Sequence, residues 1–408
     1  MLLLLTLAAC GKHVDDSAAP ASVTYYKDVR PILDNTCARC HNDNGISKSF
    51  DDPAVAQSEA ATMKAYTQSG YMPPPAPTTS CREYANSDRY LLSDTDKATI
   101  AAWADAGAPL GDVVADTRDT TLEQLSYYDL EIKASQPYSP VFTNGNVNDY
   151  RCFLIDLNNA TQEYITAMQA EVDNTKIVHH VVLFQPDGTD DLYADGTDPH
   201  DGFSCSGLGQ QNWQTLGAWG PGDNPTVMPA GIGIPLAPNS QVVLQMHYFD
   251  SFDGANLETD QSGYGMQLAS SVDHTATNYA TGPTNFTIPA NDNAYSSHKS
   301  YKWTSSDEII AVWPHMHLLG SGFDETVTHT DGTEDCLLHM DSWDFHNQVT
   351  ANFLAPEPLV AGDKLKVTCT WDNSADNPNQ YNDPPIDVSF GEGTTDEMCF
   401  GFTLVATQ

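Results

Sequence analysis

Positive charge is scarce in this sequence: 17 Lys and Arg stand against 55 Asp and Glu, a net charge of −38 over 408 residues. A field of that sign repels nucleic acid and anionic lipid surfaces, which excludes both as partners. Any apolar run long enough to cross a bilayer is also missing, so no transmembrane helix is expected. No short internal repeat recurs. The carboxylates do not fall at EF-hand spacing and read as a solvated acidic surface. What is present in quantity is apolar: 40% of residues are hydrophobic, with 7 Trp, 18 Tyr and 14 Phe. The body is therefore globular, and its length calls for two to four domains rather than one core.

At the front, Met1-Leu2-Leu3-Leu4-Leu5-Thr6-Leu7-Ala8-Ala9-Cys10-Gly11 is a short apolar stretch, two small residues and a cysteine. This resembles the cleavage box of a bacterial lipoprotein signal, although no basic residues precede the leucines. The resemblance implies lipidation at Cys10, a flexible tether from Lys12 to Ser22, and an exported periplasmic or cell-surface lipoprotein. Of the nine cysteines, Cys37 and Cys40 belong to the motif described next. Cys81, Cys152, Cys205, Cys336, Cys369 and Cys399 remain, an even number that fits disulfides in an exported protein.

Cys37-Ala38-Arg39-Cys40-His41 is the c-type haem attachment spacing. Two thiols so placed reach the two vinyl groups of one porphyrin, and the following imidazole reaches the iron. A second CxxC or a zinc-type histidine pair is missing nearby. The flanking Asp28 to Leu33, Met72-Pro73-Pro74-Pro75, and the helical stretch from Ser93 to Trp103 before Gly107-Ala108-Pro109 together resemble a small class I cytochrome c domain. That resemblance implies one covalent haem c held by Cys37, Cys40, His41 and Met72. With both axial positions filled, such a haem transfers electrons rather than activating oxygen.

A polar acidic connector runs from Val113 to about Asp129. Beyond it, turn residues recur between short β-branched and aromatic runs, such as Ile177 to Gln185, Gln241 to Phe249, Glu308 to Val312, Lys364 to Trp371 and Phe400 to Val405. This pattern predicts antiparallel all-β sandwiches. One helix is expected near Ala160 to Val172, and a break near Thr275 to Pro283 divides the region. The resulting organisation is mixed and multidomain. Residues 1–22 are signal and tether, 23–112 a small all-α haem domain and 113–128 a linker. Two jelly-roll-like sandwiches follow, 129–278 and 279–408.

Five of thirteen histidines stand in strand-like settings. His179 and His180 are adjacent, so joint binding of one ion needs a bulge to turn neighbouring side chains the same way. His247 lies in Leu244-Gln245-Met246-His247-Tyr248. His315 and His317, two apart, share one strand face. Met398 lies in Asp396-Glu397-Met398-Cys399. Three imidazoles suit copper or zinc, and two imidazoles with a thioether suit copper. The order His-His, His-Tyr, His-x-His, Asp-Glu-Met-Cys resembles the ascorbate-dependent type II copper monooxygenases, the peptidylglycine α-hydroxylating and dopamine β-monooxygenase family, over roughly residues 129–408.

The resemblance implies two coppers, one held by His179, His180 and His247, and an oxygen-activating one at the catalytic set His315, His317 and Met398. It also implies disulfides Cys152–Cys205 and Cys369–Cys399, leaving Cys81 and Cys336 either paired or free. The reaction it implies is hydroxylation of a C–H bond using O2, with ascorbate or another external one-electron donor, and with the haem as a further source of electrons. Where peptide-hydroxylating members carry an Arg two residues before the HxH pair, this sequence has Trp313. Phe400 and Phe402 replace polar residues after the Met-Cys pair. A neutral, hydrophobic small-molecule substrate is expected. The alternative reading is a non-catalytic copper and haem electron carrier. His13, His200, His274, His298, His329, His339 and His346 carry no motif, although His339, Trp343 and His346 could line a cleft.

Overall fold

The computed structural model describes residues 23–43, 45, 47–114, 124–142, 148–189, 192, 198–205, 213–249 and 258–408. The lipidation site expected at Cys10 and the middle of the connector lie outside these residues. Among the described residues no helix is long and apolar enough to cross a membrane.

The front of the chain is a small helical module. Helical turns over residues 25–37 and helices Pro53–Ser58, Ala60–Ser69 and Asp94–Asp105 enclose Tyr25, Val29, Leu33, Met63, Ile100 and Trp103. The last helix starts where the Ser93 hydroxyl accepts from the Asp96 amide, satisfying a free N–H of its first turn. It ends as Trp103 Nε1 donates to the Pro109 carbonyl at 3.0 Å.

Strands follow. They are β1 (Leu130–Lys133), β2 (Asn148–Asp156), β3 (Glu163–Glu171), β4 (Val178–Gln185), β5 (Phe203–Ser204), β6 (Gln214–Trp219), β7 (Thr226–Val227), β8 (Ile232–Leu236), β9 (Gln241–Phe249) and β10 (Gly263–Ala269). The second half adds β11 (His274–Thr281), β12 (Thr287–Ile288), β13 (Tyr295–Lys302), β14 (Asp307–Met316), β15 (Gly320–Thr328), β16 (Glu334–Met340), β17 (Ala351–Leu359), β18 (Lys364–Trp371), β19 (Val388–Ser389) and β20 (Cys399–Thr407). Two-residue alternation is clear in β18, where Leu365, Val367, Cys369 and Trp371 point inward and the residues between them do not.

A five-stranded sheet, β5-β2-β9-β4-β6, and a four-stranded sheet, β13-β18-β15-β16, both face a long sheet ordered β1-β10-β3-β8-β11-β20-β14-β17. The halves are thus two sandwiches that share one sheet. Strand β11 runs parallel to β8 and antiparallel to β20, so the stretch expected to be a break is largely a strand. The first core also takes in Ile310, Ala311, Leu404 and Ala406 from the second half.

The helix expected near Ala160 to Val172 is instead β3. Its good helix formers are overruled by pairing, because β10 bonds to one of its edges and β8 and β7 to the other. The end of the connector lies against the same strand: the Leu125 amide donates to Gln169 Oε1 at 2.8 Å, and Tyr128 donates to Glu171.

Candidate metal centres

The pairing of β4 with β9 slips between Val178 and His180, so that Val178 opposes Tyr248 while His180 opposes His247. His179 is the extra residue of this bulge, and the slip lets adjacent side chains turn to one side. His179 Nδ1 lies 3.4 Å from His180 Nδ1, and His247 Nδ1 lies 3.3 Å from the same atom. The other nitrogens are engaged. His247 Nε2 reaches Asn148 Oδ1 at 2.7 Å, an oxygen that also accepts from Thr394 Oγ1. His179 Nε2 meets His346 Nδ1 at 3.2 Å.

Burial holds all three imidazoles neutral: His179 is depressed to about 3, and His180 and His247 fall well below the usual value. With protons on Nε2, the Nδ1 atoms of His179 and His247 turn lone pairs toward His180 Nδ1. Two nitrogens held by one ion at ~2.0 Å, at angles between tetrahedral and trigonal, lie roughly 3.3–3.5 Å apart. The observed separations meet that test.

His315 and His317 lie at the end of β14, against β20. His315 opposes Phe400 and Met316 opposes Cys399, which carries Met398 to the position opposite His317. Trp313, His315, His317, Met398, Phe400 and Phe402 therefore alternate onto one face, while Met316 and Cys399 enter the second core. The protons here are fixed by neighbours. Gln348 Nε2 donates to the Phe345 carbonyl, so its Oε1 accepts from His315 Nδ1 at 2.6 Å. His317 Nδ1 donates to the Asp396 carbonyl at 3.1 Å. Both Nε2 atoms carry lone pairs, and burial lowers His315 to about 3 and His317 to about 4. Met398 is 1% exposed and packs with Trp313, Phe400 and Phe402. Glu397, fully buried, accepts from the amides of His317 and Leu319 and from Trp371 Nε1, pinning the turn that carries His317 beside Met398.

The two sets face one another. His180 and His315 line one cavity together with Trp313 and Phe402. The ring of Phe345 stacks on His179 at 5.0 Å and meets His317 edge-on at 5.9 Å. An adjoining apolar cavity runs past Leu216, Ala218, Trp313, Phe402 and Leu404. The indole N–H of Trp313 is spent on the Gln348 carbonyl, so this face presents no charged side chain where an arginine would stand.

Of the three residues expected as cleft lining, Trp343 donates to the His317 carbonyl and His346 touches His179, whereas His339 pairs with Asp324 and Asp341 away from the site. His200 and His329 are likewise held by carboxylates. Gln348 and Phe345 had no sequence signal, and Glu397 was legible only as a member of the Asp-Glu-Met-Cys stretch, since the contacts that define all three join residues far apart in the chain.

In the helical module, Cys37 and Cys40 are free thiols on adjoining turns, and His41 Nδ1 donates to the Lys48 carbonyl at 2.9 Å, leaving Nε2 as the available donor. Phe50 stacks on the ring. Met63 is buried in the helical core, while Met72 lies outside the helices and is only partly buried. Three disulfides are formed: Cys152–Cys205, Cys369–Cys399 and Cys81–Cys336. The third settles the open pairing and staples the segment between helices Ala60–Ser69 and Asp94–Asp105 to the second sandwich.

Neutral imidazoles converging from a strand bulge, across a cavity from a second histidine pair with a buried thioether, form a candidate metal site of the kind that suits copper. Residues 139–253 match the N-terminal domain of the copper type II ascorbate-dependent monooxygenases and residues 283–405 the C-terminal domain. Together these cover more than half of the chain, which belongs to that family. Among solved structures, the infectious bursal disease virus Gt strain is similar at 10% identity, over 71% of this chain and 74% of that one, with a TM-score of 0.20. PNGF-II is similar at 9% identity, over 72% and 62%, with a TM-score of 0.25. Likenesses at that level carry no argument here.

Proposed function

We propose that this chain hydroxylates a C–H bond of a neutral, apolar small molecule, using O2 and two coppers. His179, His180 and His247 would hold one copper, and His315, His317 and Met398 the other. The observation that carries the reading is the set of Nδ1 lone pairs turned on one another at cation-binding distances. Bound copper supplies one-electron chemistry toward dioxygen. The protein's part is to keep five imidazoles neutral, to fix their tautomers through Asn148, Gln348 and the Asp396 carbonyl, and to exclude water. Trp313, Phe402 and Leu404 would hold the apolar substrate, with no charged partner for a peptide terminus.

Cys37, Cys40, His41 and Met72 form a donor set suited to a covalent c-type haem, with the His41 proton already placed on Nδ1. That haem would pass single electrons to the three-imidazole centre, alone or beside ascorbate. Export, with a lipid at Cys10, accords with three disulfides.

The test is metal and product analysis of protein made in a host with haem-maturation machinery. Two coppers per chain, a haem that survives acid–acetone extraction and is lost in Cys37→Ala with Cys40→Ala, and oxygen-18 in a hydroxylated product are expected. Copper and haem present without oxygen consumption on any apolar substrate would favour an electron carrier instead.

A further inference from the structure

The turn Asp344–Gln348 touches every part of the site at once. His346 Nδ1 lies 3.2 Å from His179 Nε2, although the two residues belong to different halves of the chain. Its neighbour Asn347, 2% exposed, donates through Nδ2 to the Pro75 carbonyl at 2.8 Å, three residues along from Met72. The helical module is held to the same place from its other side. Arg39, between Cys37 and Cys40, donates to the Gly222 carbonyl at 3.0 Å, and a side chain added at Gly222 would come within 3.2 Å of Cys40 Sγ. Asp223, next to it, accepts from the Thr350 amide at 3.0 Å. The CxxCH turn and the Met72 loop therefore both rest on the segment that reaches His179.

We propose that His346 is a positioning residue for the three-imidazole centre, and that the His179–His346–Asn347–Pro75 chain of bonds is the route by which the helical module delivers electrons to it. The proposal rests on the haem and copper reading above. With His179 Nδ1 turned toward His180, the proton of His179 sits on Nε2, and His346 Nδ1 accepts it. That bond fixes the ring from the opposite half, as a neighbour of a metal-binding histidine does. From His346 the path is covalent to Asn347, crosses one hydrogen bond to Pro75, and follows the backbone to Met72. With both groups bound, each passage would move one electron, from ferrous haem to Cu(II), and would leave the His179 proton in place. His346 is exposed and meets the rings of His179, Phe249 and Phe345 edge-on, so its ring is held at this spot from both halves of the chain.

The holoprotein and three variants decide the matter. His346→Ala should weaken copper binding at the three-imidazole centre by ~10–100-fold and change the cupric hyperfine splitting in electron paramagnetic resonance. His346→Gln, which keeps an acceptor, should restore both. Asn347→Leu, which removes the donor to Pro75 and adds no charge, should leave copper affinity and spectrum as in the wild type but slow anaerobic reoxidation of the reduced haem in stopped flow. Wild-type affinity and spectrum in His346→Ala would overturn the positioning role. An unchanged reoxidation rate in Asn347→Leu would overturn the route. Failure of the chain to acquire covalent haem would sink the underlying haem reading and the route with it, while the copper measurements on His346→Ala still judge His346.

Discussion

Glu325 is a buried carboxyl whose removal should change the protein's pH response. It stands on β15 in the core of the second sandwich, fully buried, and reaches across to β20, where Oε1 accepts from Thr403 Oγ1 at 2.6 Å. Oε2 has no partner and packs so closely on Gly401 that a Cβ there would lie 2.2 Å away. Desolvation raises its pKa from 4.5 to about 7, against the one hydroxyl that lowers it. A carboxyl raised in the folded state favours folding below the unfolded value, near 4.5, and that contribution is lost as pH rises through about 7. At 1.36 kcal/mol per unit, the difference across that window is about 3 kcal/mol.

Glu325→Gln keeps the acceptor for Thr403 and cannot ionise. At pH 5 the variant should equal the wild type or fall below it, because the new amide N–H is unpaired, at roughly 1–3 kcal/mol. Relative to that starting point it should gain steadily between pH 5 and about 7 and level off above it. Guanidinium unfolding at pH 5 to 9, followed by near-ultraviolet circular dichroism, measures both profiles. Parallel profiles across the whole range would refute the reasoning, because they would mean that Glu325 keeps the same protonation in the folded and unfolded chain.

Four further outcomes are expected. Gln348→Leu removes the acceptor that orients His315 and should lower copper affinity at the His315–His317 pair by ~10–100-fold, seen by equilibrium dialysis, with the three-imidazole centre unaffected. Met398→Ile should weaken Cu(I) more than Cu(II) at that pair, since only the soft ion depends on the thioether; chelator competition under each redox state distinguishes them. Replacing Cys81 and Cys336 with Ser should cost about 2–5 kcal/mol in scanning calorimetry and make the helical module easier to release by limited proteolysis. Metal-free protein should lose stability as pH falls from near 6.5 toward about 3, because burial depresses His179, His315 and His317 in the folded state and their stabilising contribution is present only above the unfolded value. A flat acid profile by circular dichroism would contradict that.

What could be read ahead of the structure was what repeats locally. Short β-branched and aromatic runs between turns, such as Gln241–Phe249 and Lys364–Trp371, were legible as strands, and the stretch from Ser93 as a helix. The Ala160–Val172 segment misled because Ala, Met, Gln and Glu favour a helix when nothing else decides, and here β10 and β8 decide. The need for a bulge at His179 was legible from two adjacent histidines; its register slip was not. Gln348 is an ordinary residue by sequence, and Glu397, although inside the Asp-Glu-Met-Cys stretch, carried no role of its own there. Their importance arises from strands brought together over 33 residues in one case and 80 in the other. His346 likewise carried no motif, since its partner is 167 residues away.

The strand β11 has a mechanical consequence. Two sandwiches joined only by a linker can rotate about it, and the distance between groups on facing walls then varies with each excursion. Here β11 is bonded on one edge to β8 and on the other to β20, with apolar side chains of both halves interleaved beneath it. Rotation would require shearing backbone hydrogen bonds and exposing that seam to water. The spacing between the His180 wall and the His315 wall is consequently set when the chain folds, and admission of a substrate falls to small, local displacements of rings such as Phe345 and Phe402 rather than to a swing of one half against the other.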